Sequence, residues 1–263
     1  MIGLKRIKNC ISFANSKGGV GKTSTCLGVG SCLADLGLRT LLVDLDHQAN
    51  LSDDVGRGDE DYTITDLFEN PKFDINTIVY PALDNGNAID NLFVIPADIT
   101  LAVEARSAER FRHRLQILED GLNGLEQKFD VVLFDCRPAV DLTIENALLV
   151  SDLIVVPVSS DKRAIKGIKD LFEVTAEIKR TDKFKSLIVR TMFDQRNKIM
   201  VRSIAEELSA QEWQVAASPI SVSELFKQAT NAGRPFTKFA ANTKQHQELM
   251  ALTNEILAVL EAK

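Results

Sequence analysis

The chain lacks an apolar run long enough to span a membrane, cysteines at paired metal-ligand spacing, any internal repeat or low-complexity tract, and any excess of positive charge. Each absence excludes a class of protein. A membrane helix needs about 20 consecutive apolar residues, and no stretch reaches that length. The start Met1-Ile2-Gly3-Leu4-Lys5-Arg6 lacks the pattern of a secretory leader, so a cytoplasmic location is expected. Of the four cysteines, Cys10, Cys26 and Cys32 fall in apolar strand and helix patterns, where a thiol behaves as a small buried hydrophobe. Cys136 stands apart only because it adjoins Asp135, an aspartate considered below. A net charge of −6 argues against a protein that coats nucleic acid through bulk electrostatics. That charge is unevenly spread: residues 1–180 hold 20 Lys and Arg against 28 Asp and Glu, whereas residues 181–263 hold 11 against 9. Within the latter part, Lys183, Lys185, Arg190, Arg196, Lys198 and Arg202 face only Asp194, a local excess suited to a phosphate-binding stripe.

What is present is an ordinary globular composition, 45% apolar and 26% charged, over 263 residues, enough for one sizeable α/β domain spanning residues 1–263. Short apolar runs at Cys10 to Ala14, Thr40 to Leu45, Leu92 to Ile95, Val131 to Phe134, Leu153 to Val158 and Leu187 to Thr191 predict strands of a buried, largely parallel sheet. Helical periodicity predicts helices at Lys22 to Leu36, Thr100 to Leu122, Thr143 to Val150, Arg163 to Lys179, Lys198 to Ser209, Val222 to Asn231 and Phe236 to Leu260, covering both faces of that sheet. Gly56 to Asn91, with its acids, Asn-Gly pair, Pro71 and Pro81, predicts exposed loops around one short helix near Thr65 to Phe68.

The most specific segment is Ser16-Lys17-Gly18-Gly19-Val20-Gly21-Lys22-Thr23-Ser24, between the first predicted strand and the first predicted helix. Glycines permit the tight path that lets backbone N–H groups surround phosphate oxygens, and the helix start adds donors and dipole. Lys22 is placed to neutralise the β- and γ-phosphates, and the Thr23 hydroxyl to ligate Mg2+. Two further motifs end strands. Asp44-Leu45-Asp46-His47-Gln48-Ala49-Asn50 brings alternating acids to the crevice where α/β ligands bind. Phe129-Asp130-Val131-Val132-Leu133-Phe134-Asp135 delivers Asp135 beside the phosphates, where a carboxylate orients magnesium directly or through water.

The spacing K-G-G-V-G-K-[ST] resembles the deviant Walker A loop of MinD/ParA ATPases, and the Asp44 run resembles that family's D-x-D-x-Q-[GA]-N. Val94-Ile95-Pro96-Ala97, Asn146 to Asp152, Val155-Val156-Pro157-Val158, Ala164 to Ile168 and Thr191-Met192-Phe193-Asp194-Gln195-Arg196 are similar to landmarks of the compact ParA/Soj partition ATPases, so the resemblance runs from about Ile7 to Glu261. It implies a P-loop fold binding ATP and Mg2+ and a sandwich homodimer in which Lys17 reaches the partner's phosphates. On the residues alone, Lys17 reads equally as a solvated loop charge. The resemblance also implies that Asp44 polarises the attacking water, that Asp46 supports the magnesium shell beside Thr23 and Asp135, and that Pro219 lies near the adenine. Arg137 replaces the first proline of the usual D-x-P-P; it contacts the partner subunit or an effector, or is a solvated substitution. Ser159, Ser160 and Asp161 fall where relatives carry a charged residue.

The family expectation for partners is nonspecific double-stranded DNA bound by the ATP dimer, with a ParB-like or other adaptor stimulating hydrolysis, and hence nucleoid association. Arg196 is the leading DNA candidate by motif; Arg190, Arg202, Lys227, Arg234 and Lys238 follow by charge and location. The arginine that relatives carry after the proline is missing from Pro219-Ile220-Ser221-Val222-Ser223-Glu224. Alternative readings are a ParA-like ATPase positioning a non-DNA cargo, or a MinD-like membrane-positioning ATPase. For the latter, the C-terminal segment carries Glu248, Glu255 and Glu261 where a basic amphipathic anchor would be needed, so no stable membrane association is expected.

Overall fold

The computed structural model describes residues 9–159, 164–194, 196 and 198–262. Its strands are β1 (Cys10–Phe13), β2 (Thr40–Leu45), β3 (Tyr80–Asp84), β4 (Asn87–Ile95), β5 (Val131–Cys136), β6 (Leu153–Val158) and β7 (Lys185–Arg190). They form one sheet in the order β3-β4-β2-β5-β1-β6-β7. All the pairings are parallel except β3 with β4, which are antiparallel. The helices are α1 (Lys22–Asp35), α2 (Asn50–Asp54), α3 (Ile64–Glu69), α4 (Leu101–Ala108), α5 (Ile117–Asn123), α6 (Leu142–Val150), α7 (Ala164–Lys179), α8 (Lys198–Ser209), α9 (Glu224–Asn231), α10 (Phe236–Phe239) and α11 (Lys244–Glu261).

Burial follows from the strand sequences. In β1, β2, β5 and β6 every residue is buried, as apolar strands covered on both faces require. Successive side chains alternate between two cores: Val132 and Phe134 enter one with Leu41, Val43 and α3 to α7, while Val131 and Leu133 enter the other with Leu42, α1 and α11. Helix α11 closes the second core with Leu249, Leu252, Ile256 and Val259, spaced along one helical face. Each such side chain contributes roughly 1.5–3 kcal/mol of burial. Gly28 of α1 permits this approach, since a β-carbon there would lie 2.7 Å from Leu249 Cδ1.

The mostly parallel sheet with helices on both faces agrees with the sequence-based expectation. Three elements differ. The Gly56 to Asn91 region forms the β3–β4 hairpin as well as the short helix, and Asn85 (φ 50°) with Gly86 (φ 77°) supplies the left-handed pair of its two-residue turn. The expected Thr100 to Leu122 helix divides after Ala108, where Phe111 and Leu115 fold back onto the core and the intervening charges stay outside. The expected Phe236 to Leu260 helix breaks at Asn242 (φ 64°), and Thr243 restarts it by accepting the His246 N–H. The expected start of α7 at Arg163, together with Ser160 and Asp161, lies outside the described residues.

Candidate nucleotide site

The loop between β1 and α1 is shaped by its glycines and fastened by its neighbours. Gly19 and Gly21 take φ of 69° and 79°, conformations that a side chain disfavours, and Gly21 is the N-cap of α1. Asn15, itself buried, donates from Nδ2 to the Pro157 carbonyl (2.7 Å) and accepts the Lys17 N–H at Oδ1 (2.9 Å), fixing where the loop leaves β1. Thr191 Oγ1 donates to the Val20 carbonyl (2.7 Å), binding the loop to the chain after β7. Lys22 folds its Nζ back to the Lys17 carbonyl (3.1 Å). Gly18 and Gly19 are exposed, and Lys17, Thr23 and Ser24 are half-buried, so the loop opens outward from a buried Lys22.

Two carboxylates lie under it. Asp44 and Asp135 are register partners on the neighbouring strands β2 and β5, and both are buried. Asp44 Oδ1 accepts the Asp46 N–H (3.0 Å), and Oδ2 accepts the Ser52 N–H (3.0 Å) and hydroxyl (2.8 Å). Burial pushes the Asp44 carboxyl up to about 7, against those hydrogen bonds. Neither Asp135 oxygen has a hydrogen-bond partner among the described residues. Burial, then the neighbouring Asp44, hold its pKa well above the usual carboxylate range, with Thr23 and Lys22 opposing. Burial also lowers the Lys22 ammonium, an effect partly offset by Asp135.

An ammonium, a hydroxyl and an orphaned carboxylate around one loop are suited to a phosphate-bound cation. Among the described residues no group of three or more His, Cys, Asp or Glu could hold a metal ion by itself. Magnesium keeps waters and takes few protein ligands when phosphates share its shell. Thr23 and Asp135 are the direct candidates, and half-buried Asp46 stands one turn of chain beyond Asp44, its Oδ1 accepting the Gln48 N–H (3.1 Å).

Beside the loop is a feature the motifs did not reveal. A largely apolar cavity of about 280 Å³ lies between Gly21 and Ser24 on one side and Met192, Ile220, Val222 and Phe226 on the other. Met192 and Val222 are exposed large hydrophobics next to a phosphate loop, the setting expected for a planar base. Pro219 is half-buried, and it is the neighbouring Ile220 to Glu224 segment that lines this cavity. The signal in the sequence was the apolar pair Met192 and Val222 interrupting polar loop segments.

The DNA candidates divide. Arg196 is exposed on the chain after β7, with a bidentate pair to Asp194 (2.7 Å). Arg190 at the end of β7 donates to the Ala217 carbonyl (3.3 Å), and exposed Arg202 and Lys227 pair with Glu206 and Glu224 on their own helices. Arg234 instead grips Asp84 of β3 through Nε (2.6 Å) and Nη2 (2.9 Å), and Lys238 pairs with Asp35 at the end of α1 (2.5 Å). Asp35 lies at the far end of α1 from Lys22, roughly 20 Å along the helix axis, so these two brace the opposite end of the sheet. The Lys198 side chain lies outside the described residues. Arg137 is in an ion pair with Asp141 (2.7 Å), whose other oxygen caps α6 through the Thr143 and Ile144 N–H groups.

A parallel sheet, a strand–loop–helix phosphate cradle and carboxylates on the two strands beneath it define a P-loop NTPase. The family model for an AAA domain matches residues 8–189. The chain is 29% identical over 253 residues to the sporulation initiation inhibitor protein Soj of Bacillus subtilis, covering 94% of this chain and 98% of that one. A plasmid partition protein from Borrelia burgdorferi bound to AMPPNP shares the fold, with a TM-score of 0.79 and 23% identity over 95% of this chain and 98% of that one. So does cobyrinic acid a,c-diamide synthase from Mycobacterium smegmatis with a bound ATP analogue and magnesium, with a TM-score of 0.80 and 22% identity over 97% and 96%. The chain belongs to this AAA-domain family and, within it, to the ParA/Soj/MinD group of deviant Walker A ATPases.

Proposed function

We propose that the protein is an ATP-hydrolysing DNA partition ATPase: ATP closes two copies into a sandwich dimer, the dimer binds nonspecific DNA, and an adaptor-stimulated hydrolysis releases it. The observation that carries this reading is a phosphate loop with Lys17 at its mouth, positioned by Asn15, above the buried Asp44 and Asp135 pair. Likeness to the chromosome partitioning protein ParA of Myxococcus xanthus, 28% identical over 97% of this chain, supports the cargo class.

In this reading, the Lys22 ammonium and the loop N–H groups hold the β- and γ-phosphates, and Lys17 of each copy meets the other copy's phosphates. Thr23 and Asp135 hold magnesium, with Asp46 behind them; when bound, the ion neutralises phosphate charge. Asp44 accepts three hydrogen bonds from its own chain, leaving about one of a carboxylate's four lone-pair sites for a water aligned with the γ-phosphorus. A carboxyl balanced near neutrality suits that proton-accepting role. The Met192 and Val222 cavity takes the adenine. DNA binding is assigned to Arg196, with Arg190, Arg202 and Lys227; Arg234 and Lys238 are committed to braces inside the chain.

The membrane reading is disfavoured by α11, whose apolar face is already buried against α1. No helix among the described residues is long and apolar enough to cross a membrane. Lys17→Ala tests the dimer. Sedimentation velocity with a slowly hydrolysed ATP analogue should show wild type sedimenting as a dimer and the variant as a monomer, with stimulated turnover lost. Unchanged dimerisation and turnover would refute the role of Lys17.

A further inference from the structure

At the far end of the sheet from the phosphate loop, the last turns of α7 and the start of β7 frame a groove of about 630 Å³. Its floor is aromatic. Phe172 meets Phe184 and Trp213 edge-to-face, each pair with ring centroids 5.5 Å apart, and all three rings are only partly buried. Glu173, Asp182 and Glu212 line it as well, all exposed, and none of the three makes an ion pair or side-chain hydrogen bond among the described residues. The groove's lysine, Lys185, pairs with none of them: its Nζ donates to the carbonyls of Val259 (3.0 Å), Leu260 (3.1 Å) and Ala262 (2.6 Å) at the end of α11. The Trp213 indole N–H makes no hydrogen bond among the described residues, and in a half-buried side chain it can meet an acceptor from outside the chain.

Three exposed carboxylates with no ion pair among the described residues, set around partly buried aromatic rings, select for a planar cation. We propose that this groove docks an arginine-bearing segment of a partner protein. A guanidinium stacks on the open face of one of these rings while its N–H fork reaches Glu173 or Glu212, a combination that an ammonium point charge cannot make. A backbone carbonyl of the same segment accepts the indole N–H. The surface is remote from the phosphate loop, so it can be occupied whether or not nucleotide is bound, and the inference does not depend on the DNA reading.

Trp213 is the chain's single tryptophan, so its emission reports on the groove alone. The full-length protein would be titrated with the peptide acetyl-Gly-Arg-Leu-Arg-Gly-Arg-amide, with the same peptide carrying citrulline for arginine, and with spermidine. Calorimetry run in parallel detects binding that leaves the emission unchanged. We expect saturable binding of the arginine peptide that weakens at least tenfold between 50 and 300 mM salt. The citrulline peptide and spermidine should bind at least tenfold more weakly. The double variant Glu173→Gln/Glu212→Gln, altered only at exposed positions, should lose the peptide at least tenfold while keeping its circular dichroism and ATPase rate. No saturable binding by either method, equal binding of spermidine or citrulline peptide, or undiminished binding by the double variant would each overturn the proposal.

Discussion

Replacing Asp44 by Asn tests the electrostatics beneath the phosphate loop, because it keeps the shape and removes the charge. With a carboxyl near 7 in the fold and 3.8 as its ordinary value, the folded chain holds this proton more tightly than the unfolded chain. The sign follows: stability linked to Asp44 is fully present below the ordinary value and is lost as pH rises through about 7. Each pH unit in that window costs about 1.4 kcal/mol, so roughly 3 kcal/mol is lost between pH 5 and pH 8.5. Asn escapes this loss. Its carbonyl can still accept the Ser52 N–H and hydroxyl, but its amide must then face the Asp46 N–H, giving up one hydrogen bond, worth about 0.5–1.5 kcal/mol against the neutral carboxyl at pH 5. Asp135 also loses its like-charged neighbour, which adds to the gain at high pH. Urea unfolding of the nucleotide-free protein should therefore show the variant no more stable than wild type at pH 5 and gaining about 3 kcal/mol on it by pH 8.5. The same variant should bind ATP yet turn over about 10²–10⁴-fold more slowly. A stability difference independent of pH, or wild-type turnover, would refute the reasoning.

Two further substitutions probe the frame. Asp54 is buried, accepts a long hydrogen bond from the Thr230 hydroxyl (3.4 Å), and is pushed up to about 6 by burial. Its linked stability is lost as pH rises from the ordinary value through 6, so Asp54→Asn should stabilise the protein by up to about 2 kcal/mol at pH 7.5 and flatten the pH profile below 6, read by thermal or urea unfolding. Leu249→Ala removes the side chain seated on Gly28, and it should cost about 2–5 kcal/mol by urea unfolding; a loss under 1 kcal/mol would mean that α11 is not anchored there.

The sheet and its phosphate loop were legible because their signals are local. Val131 to Phe134 and Leu153 to Val158 are apolar runs too short for helices, and the glycine pattern stands between a strand and a helix. The β3–β4 hairpin was hidden by Pro81 and by acidic neighbours, although Asn85-Gly86 is the dipeptide its turn demands. The break after Ala108 carries no glycine or proline and follows from tertiary packing of Phe111, which no local pattern encodes. Asn242-Thr243 was a readable stop and cap, overlooked because the apolar period continues beyond it. In the site, the identities of Asp44 and Asp135 were visible in the sequence, but their pairing across adjacent strands needed the register. Charge alone could not distinguish the exposed Arg196 from Arg234 and Lys238, whose acids come from residues over a hundred positions away.

The central claim is that DNA binding is gated by ATP, and it is tested most directly by measuring binding to nonspecific duplex DNA across a salt series with no nucleotide, with Mg-ADP and with Mg and a slowly hydrolysed ATP analogue. Binding should be confined to the ATP-analogue state, fall steeply with salt, and be weakened with a shallower salt slope by Arg196→Ala. A demonstrated ATP dimer that binds no DNA, or binding of equal strength in all three states, would contradict it.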